Sequence, residues 1–128
     1  MRIGEVAEKS GIPASTLRYY ESKGLIPIPA REGGKRVYDA SILDLLLIVE
    51  VAKAAGLTVA EIYQLLRGFS RKTPPGKRWR TLAEKKLLEV DERMGQLERM
   101  KLILKAVLGC ECPSFNGCVQ AIEKYRGA

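Results

Sequence analysis

A chain of 128 residues with no histidine and a formal charge of +7 suits one compact domain, or a small domain with an extension, and its modest core leaves oligomerisation to add stability. The charge favours a polyanionic partner such as nucleic acid. Without histidine a Cys–His nucleophile is excluded, no phosphate-cradling Gly-rich loop occurs, and an enzyme is not expected.

In chain order, "RIGEVAEKSG" puts Ile3 and Val6 on one helical face and stops at Gly11. "GIPASTLRYYESKGLI" restarts a helix near Pro13, a favoured first-turn position, so a tight "SGIP" turn joins two short helices. The second helix of a helix-turn-helix lies in the major groove. Here it displays Ser15, Thr16, Arg18, Tyr19 and Tyr20. Arginine forks onto guanine or clamps phosphate, while hydroxyls and tyrosines bond phosphate oxygens. One of Tyr19 and Tyr20 is expected to be partly buried and the other to face phosphate.

"PIPAREGGKRVYD" predicts a hairpin turning at "EGG", and Arg31, Lys35, Arg36 and Tyr38 crowd it as a basic wing beside the helix. Asp39 or Ser41 is placed to cap a helix over 41–55 that ends at Gly56. Thr58 and Glu61 form a capping box for a helix to about Arg67. Residues 69–77 are a Pro/Gly/basic linker, which bounds the DNA-binding domain and its helical connector to 1–68. One long helix is predicted over 78–108, with Leu87, Val90, Met94, Leu97, Leu104 and Leu108 at alternating steps of three and four, interrupted by Lys101. That spacing suits an antiparallel coiled coil between two chains. Residues 109–128 hold the cysteines and a short helix from about Val119 to Tyr125.

The longest apolar run, "ILDLLLIVEVAKAAG", carries Asp44, Glu50 and Lys53, and is too short and too charged to span a bilayer. "MRIGEVAEKSG" lacks the apolar core of a secretory signal, so a cytoplasmic protein without membrane partners is expected.

The segments "RIGEVAEKSGIPASTLRYYESKGLI", "GKRVYD" and "AGLTVAEIYQLL" resemble the MerR family of bacterial transcriptional regulators over roughly residues 1–108. The resemblance implies a mainly α fold: a winged helix-turn-helix DNA-binding domain with a long C-terminal dimerisation helix. It also implies a homodimer on double-stranded promoter DNA, seated between promoter elements with an overlong spacer. Effector binding then bends and untwists the DNA so that RNA polymerase engages both elements. Distortion of this kind is indirect readout and must be offset by contacts, and an effector acts only by binding two conformations differently. Arg18, Tyr19, Tyr20, Arg36 and Tyr38 carry over from the family motif, while Thr16 and Lys35 are assigned from chemistry alone.

The cysteines Cys110, Cys112 and Cys118 all lie within "LGCECPSFNGC". Cytoplasmic thiols stay mostly reduced, so the cluster points to metal or redox chemistry more than to a structural disulfide. Cys110 and Cys118 have seven residues between them, a spacing that resembles the family's copper(I)-type sensors, and two thiolates suit a soft monovalent ion. Divalent-metal members add a cysteine where this chain has Gly76. "GCECPSFNGC" also resembles the last three ligands of the iron–sulfur members, but Val107 stands at the fourth position. Cys112 is open between third ligand and bystander. A soft metal ion, copper(I) first, with zinc, mercury, an iron–sulfur cluster or thiol oxidation as alternatives, is the expected effector; the remaining alternative is a regulator that responds to no metal, its three thiols free. Multidrug-sensing members carry a larger C-terminal domain, for which residues 109–128 leave no room. A thiol oxidoreductase would prefer Cys-x-x-Cys, whereas the closest pair here is Cys-x-Cys.

Overall fold

The computed structural model describes residues 1–123. The order is α1 (Ile3–Ser10), α2 (Ala14–Ser22), β1 (Ala30–Glu32), β2 (Lys35–Val37), α3 (Ile42–Ala54), α4 (Val59–Arg67), α5 (Pro75–Leu108) and α6 (Phe115–Ile122). Two compact units divide between Lys86 and Leu87, within α5.

In the first unit, α1 ends where Gly11 takes φ 74°, a left-handed cap whose N–H reaches the Ala7 carbonyl. Pro13 precedes α2, which buries Leu17 and Tyr20. With Val6, Leu25, Ile26, Leu46 and Val49 they form the core. The two strands pair antiparallel, Arg31 opposite Arg36, across a turn in which Gly33 and Gly34 both have positive φ. Such a turn favours glycine at both positions. The chain start is tied to this hairpin. The Met1 amino group donates to the Tyr38 carbonyl at 2.8 Å, the Tyr38 N–H returns to the Met1 carbonyl at 2.7 Å, and Arg2 bridges to Val37.

α3 buries Ile42, Leu46, Val49 and Ala52. Ser41 already has helical backbone angles and makes no side-chain cap bond, and the Asp39 carboxylate instead accepts the Ser41 N–H at 3.3 Å. In α4 both halves of the Thr58–Glu61 capping box are present. The Lys86 ammonium sits 2.8 Å from the Glu61 carboxylate, both side chains nearly buried. The Lys86 bond and the Thr58 N–H together hold the Glu61 carboxyl down to about 2. A folded-state value below the unfolded one stabilises the fold above about pH 4.5, and that contribution drains away as pH falls towards 2. Glu61→Gln is therefore expected to lose about 2 kcal/mol at pH 7. It should also flatten the melting-temperature profile between these pH values, as read by circular dichroism. An unchanged acid limb would refute the assignment.

The linker is less free than its composition predicts. α5 begins at Pro75, three residues before the predicted start at Arg78, because proline is favoured at a first helical position. Arg78 donates to the carbonyls of Leu65, Leu66, Ser70 and Thr73 at 2.9–3.3 Å, satisfying the C-terminal end of α4 from the next helix. Leu82 is buried and Trp79 packs against the core, and the first compact unit runs on to Lys86.

The second unit holds the rest of α5, the cysteine segment and α6. None of residues 87–120 is buried. Leu87, Val90, Met94, Leu97, Leu104 and Leu108 are all exposed, as are Leu88, Met100, Leu102 and Val107. The apolar surface is thus broader than the predicted seam. α6 begins four residues before the predicted Val119, because the Ser114 hydroxyl accepts the Gly117 N–H and caps it. The predicted end at Tyr125 lies outside the described residues. Among the described residues no helix is long and apolar enough to cross a membrane.

Candidate nucleic-acid interface and cysteine cluster

α2 presents Ser15, Arg18 and Tyr19 to solvent, with Thr16 half-buried. Tyr19 is 46% exposed, and the Lys23 ammonium lies 5.7 Å from its ring centre. On the wing, Arg31 and Lys35 are exposed and Arg36 is half-buried. The Arg31 guanidinium donates to the Gly34 carbonyl at 2.8 Å, steadying the turn it flanks.

Tyr20 is the buried member of the Tyr19–Tyr20 pair, at 3% exposed, and Tyr38 is 4% exposed, so both rings pack in the core. The Tyr20 hydroxyl donates to the Glu50 carboxylate at 3.3 Å and accepts from Lys53 at 3.5 Å, which fastens α2 to α3. The Tyr38 hydroxyl donates to Glu21 at 3.5 Å. Burial, reinforced by the facing carboxylate, raises both phenols above their ordinary range, so both stay neutral. Alternation along a short strand does not reveal that Tyr38 turns into the core.

Arg2 joins the basic residues of the wing, a placement that its position in the chain does not make obvious. Arg2 lines an open concavity of about 340 Å³ together with Arg31, Lys35 and Arg36, and it donates to the Glu32 carbonyl at 3.1 Å. A signal existed. A cation directly before a helix opposes the helix dipole, so Arg2 at that place asks for a reason outside α1. The fold gives one by laying the chain start along the wing.

In the second unit the Cys110 N–H bonds to the Val107 carbonyl just past the end of α5, and the Cys118 N–H bonds to Ser114 in the first turn of α6. Cys118 therefore stands on a helix rather than in the predicted loop. The Cys110 and Cys118 sulfurs are 3.9 Å apart, and the three sulfurs lie within 4.8 Å of one another. Thiolate–metal bonds of about 2.3 Å separate two sulfurs on one ion by at most about 4.6 Å. The donor set and its spacing thus fit a soft ion once all three are thiolates. Cys110 and Cys112 are joined as a disulfide, Cα to Cα 5.5 Å, and Cys118 is a free thiol. This departs from the expectation of three reduced thiols, because the Cys-x-Cys bend brings neighbouring sulfurs within bonding reach. Gly76, in the first turn of α5, has open space around it and offers no ligand atom.

The model of the MerR HTH family regulatory proteins matches residues 1–68, and a second model, described as MerR, DNA binding, matches residues 43–107. The chain belongs to the MerR family. Among its relatives, the HTH-type transcriptional regulator HmrR of Rhizobium leguminosarum bv. viciae is 37% identical over 82% of this chain and 81% of the relative. The mercuric resistance operon regulatory protein of Bacillus cereus is 33% identical over 88% and 85%. The crystal structure of the transcription regulator PbrR691 from Ralstonia metallidurans CH34, in complex with lead(II), superposes with a TM-score of 0.74 at 33% identity, covering 89% of this chain and 91% of that one. This MerR protein is accordingly mainly α, with a winged helix-turn-helix, and is a DNA-binding transcriptional regulator rather than an enzyme.

Proposed function

We propose that the protein is a cytoplasmic, homodimeric regulator that binds promoter DNA through α2 and the wing and senses a soft metal ion through Cys110 and Cys118. Copper(I) is the favoured ion, and Cys112 is available as a third ligand. The carrying observation is the convergence of three sulfurs within 4.8 Å directly after the long helix. The described residues between Cys110 and Cys118 offer, besides Cys112, only Glu111 as an anionic side chain, which suits a soft ion over a hard one. The mercuric and lead(II) proteins among the relatives support a metal as the signal.

The exposed seam of α5 beyond Lys86 supports the dimer. From Leu87 to Leu108 its apolar residues lie open to solvent in the single chain, and an antiparallel pairing of two such helices gives them a core. The ion would tie the start of α6 to the end of α5, giving the effector two states to discriminate. On the family's mechanism the DNA is then distorted so that RNA polymerase engages both promoter elements.

Oxidation is the second reading, favoured by the Cys110–Cys112 disulfide, which removes two of the three donors. An iron–sulfur cluster is less favoured, since Val107 stands where a fourth cysteine is needed. Zinc and mercury are the metal alternatives.

The test titrates anaerobic, fully reduced protein with copper(I) against a competing chelator, then repeats it with Cys110→Ser, Cys112→Ser and Cys118→Ser. Affinity should fall at least 100-fold in the Cys110 and Cys118 variants, since a two-ligand site does not survive losing one thiolate. Binding indifferent to both substitutions would remove the copper reading and bring zinc, mercury and oxidation forward, with DNA binding untouched.

A further inference from the structure

Glu21 is an acid on the helix that faces DNA. It lies in the last turn of α2, and its side chain is 13% exposed. Its Oε2 accepts from the Arg36 Nε at 3.1 Å, fifteen residues away, and from the Tyr38 hydroxyl at 3.5 Å. A carboxylate beside phosphates is repelled and weakens DNA binding unless it is neutralised. Glu21 is nearly covered and paired with a wing cation, so its charge is offset where it stands.

We propose that Glu21 is a positioning residue for DNA recognition: its carboxylate clamps the wing, through Arg36 and Tyr38, to the end of α2, so that helix and wing meet DNA as one rigid surface. The wing's other polar ties, from Met1 and Arg2, run to the chain start. Glu21 supplies the tie to the reading helix. Nε is one of five donors on the guanidinium, so the clamp fixes the plane of the fork without consuming it. The proposal rests on the reading that the wing touches DNA through Arg36. It adds that specificity depends on an anionic residue that itself avoids the DNA.

Charge and geometry pull in opposite directions in Glu21→Gln, and that separates this role from a merely structural one. The full-length reduced protein is measured at several salt concentrations on two duplexes of equal length. One is selected by the wild-type protein from a random-sequence library, and the other has random sequence. Loss of a negative charge should hold or tighten binding to the random duplex by up to a few fold. Affinity for the selected duplex should fall about tenfold, the scale of a lost charge-assisted hydrogen bond. In an Arg36→Ala background the same substitution should weaken binding to the selected duplex much less, since only the longer Tyr38 bond to Glu21 is left to lose.

Equal changes on both duplexes, or an undiminished effect in the Arg36→Ala background, would overturn the positioning role. A salt slope and selected-duplex affinity unmoved by Arg36→Ala alone would instead overturn the wing-contact reading beneath it. If Glu21→Gln does not fold by circular dichroism, Glu21→Asp keeps the charge and shortens the reach. It should weaken the selected duplex while leaving the random one unchanged, and loss of both together would refute the proposal.

Discussion

Leu97→Glu is expected to convert the protein to a monomer and to cut operator affinity by at least 100-fold. Leu97 lies mid-seam on α5 and is 60% exposed in the single chain. In an antiparallel pair it would be buried in both protomers, so one substitution places two carboxylates in an apolar interface, and burying unpaired charge costs several kcal/mol. A monomer reaches one half-site at a time and loses the advantage of linked binding, which is worth about 10²–10⁴ in affinity. The fold of the first unit should survive, because α5 beyond Lys86 lies outside it. The single tryptophan, Trp79, packs against that unit's core and gives a fluorescence control. Sedimentation equilibrium reads the mass directly. A Leu97→Glu protein that still sediments as a dimer would show that two chains meet elsewhere, and the broader exposed surface at Leu88, Met100 and Leu102 would be examined next.

Arg18→Ala carries the second large effect. Arg18 projects from the middle of α2 and is exposed, between the buried Leu17 and the buried Tyr20 that fasten the helix to the core. The side chain can therefore be removed at little cost to stability. Operator affinity should fall by about 10–100-fold, the range of one bidentate base contact or a charged phosphate contact made twice in a dimer. The salt dependence tells which it is. A phosphate contact lowers the slope of log affinity against log salt by about one per arginine, while a base contact leaves the slope and relaxes sequence preference at one position of each half-site. Metal affinity should be unchanged. An operator affinity within twofold of wild type would remove Arg18 from the interface.

Legibility followed the range of the interaction. The Gly11 stop, the Gly33–Gly34 turn and the Thr58–Glu61 capping box were all readable, since each is settled by residues within a few positions of one another. The start of α6 at Phe115 is also encoded locally, by the Ser114 cap. At the candidate interface, the exposure of Ser15, Arg18 and Tyr19 follows from helical spacing around Leu17. The interior placement of Tyr38 does not, because a three-residue strand carries too short an alternation to fix its faces.

By itself the sequence determined the helix-turn-helix, the basic wing, the apolar seam of α5 and the concentration of every thiol at Cys110, Cys112 and Cys118, because local backbone preference and helical periodicity are enough for each. Only the tertiary structure decided which long side chains meet across the fold. It brought Glu21 to Arg36, Glu61 to Lys86, Arg78 to the carbonyls that end α4, and Arg2 to the wing. It also folded the chain at Pro113 and Ser114 so that Cys118 returns to within 3.9 Å of Cys110. These pairings span eight to thirty residues, where several partners of the same charge are equally available in the sequence and packing of the intervening elements selects one.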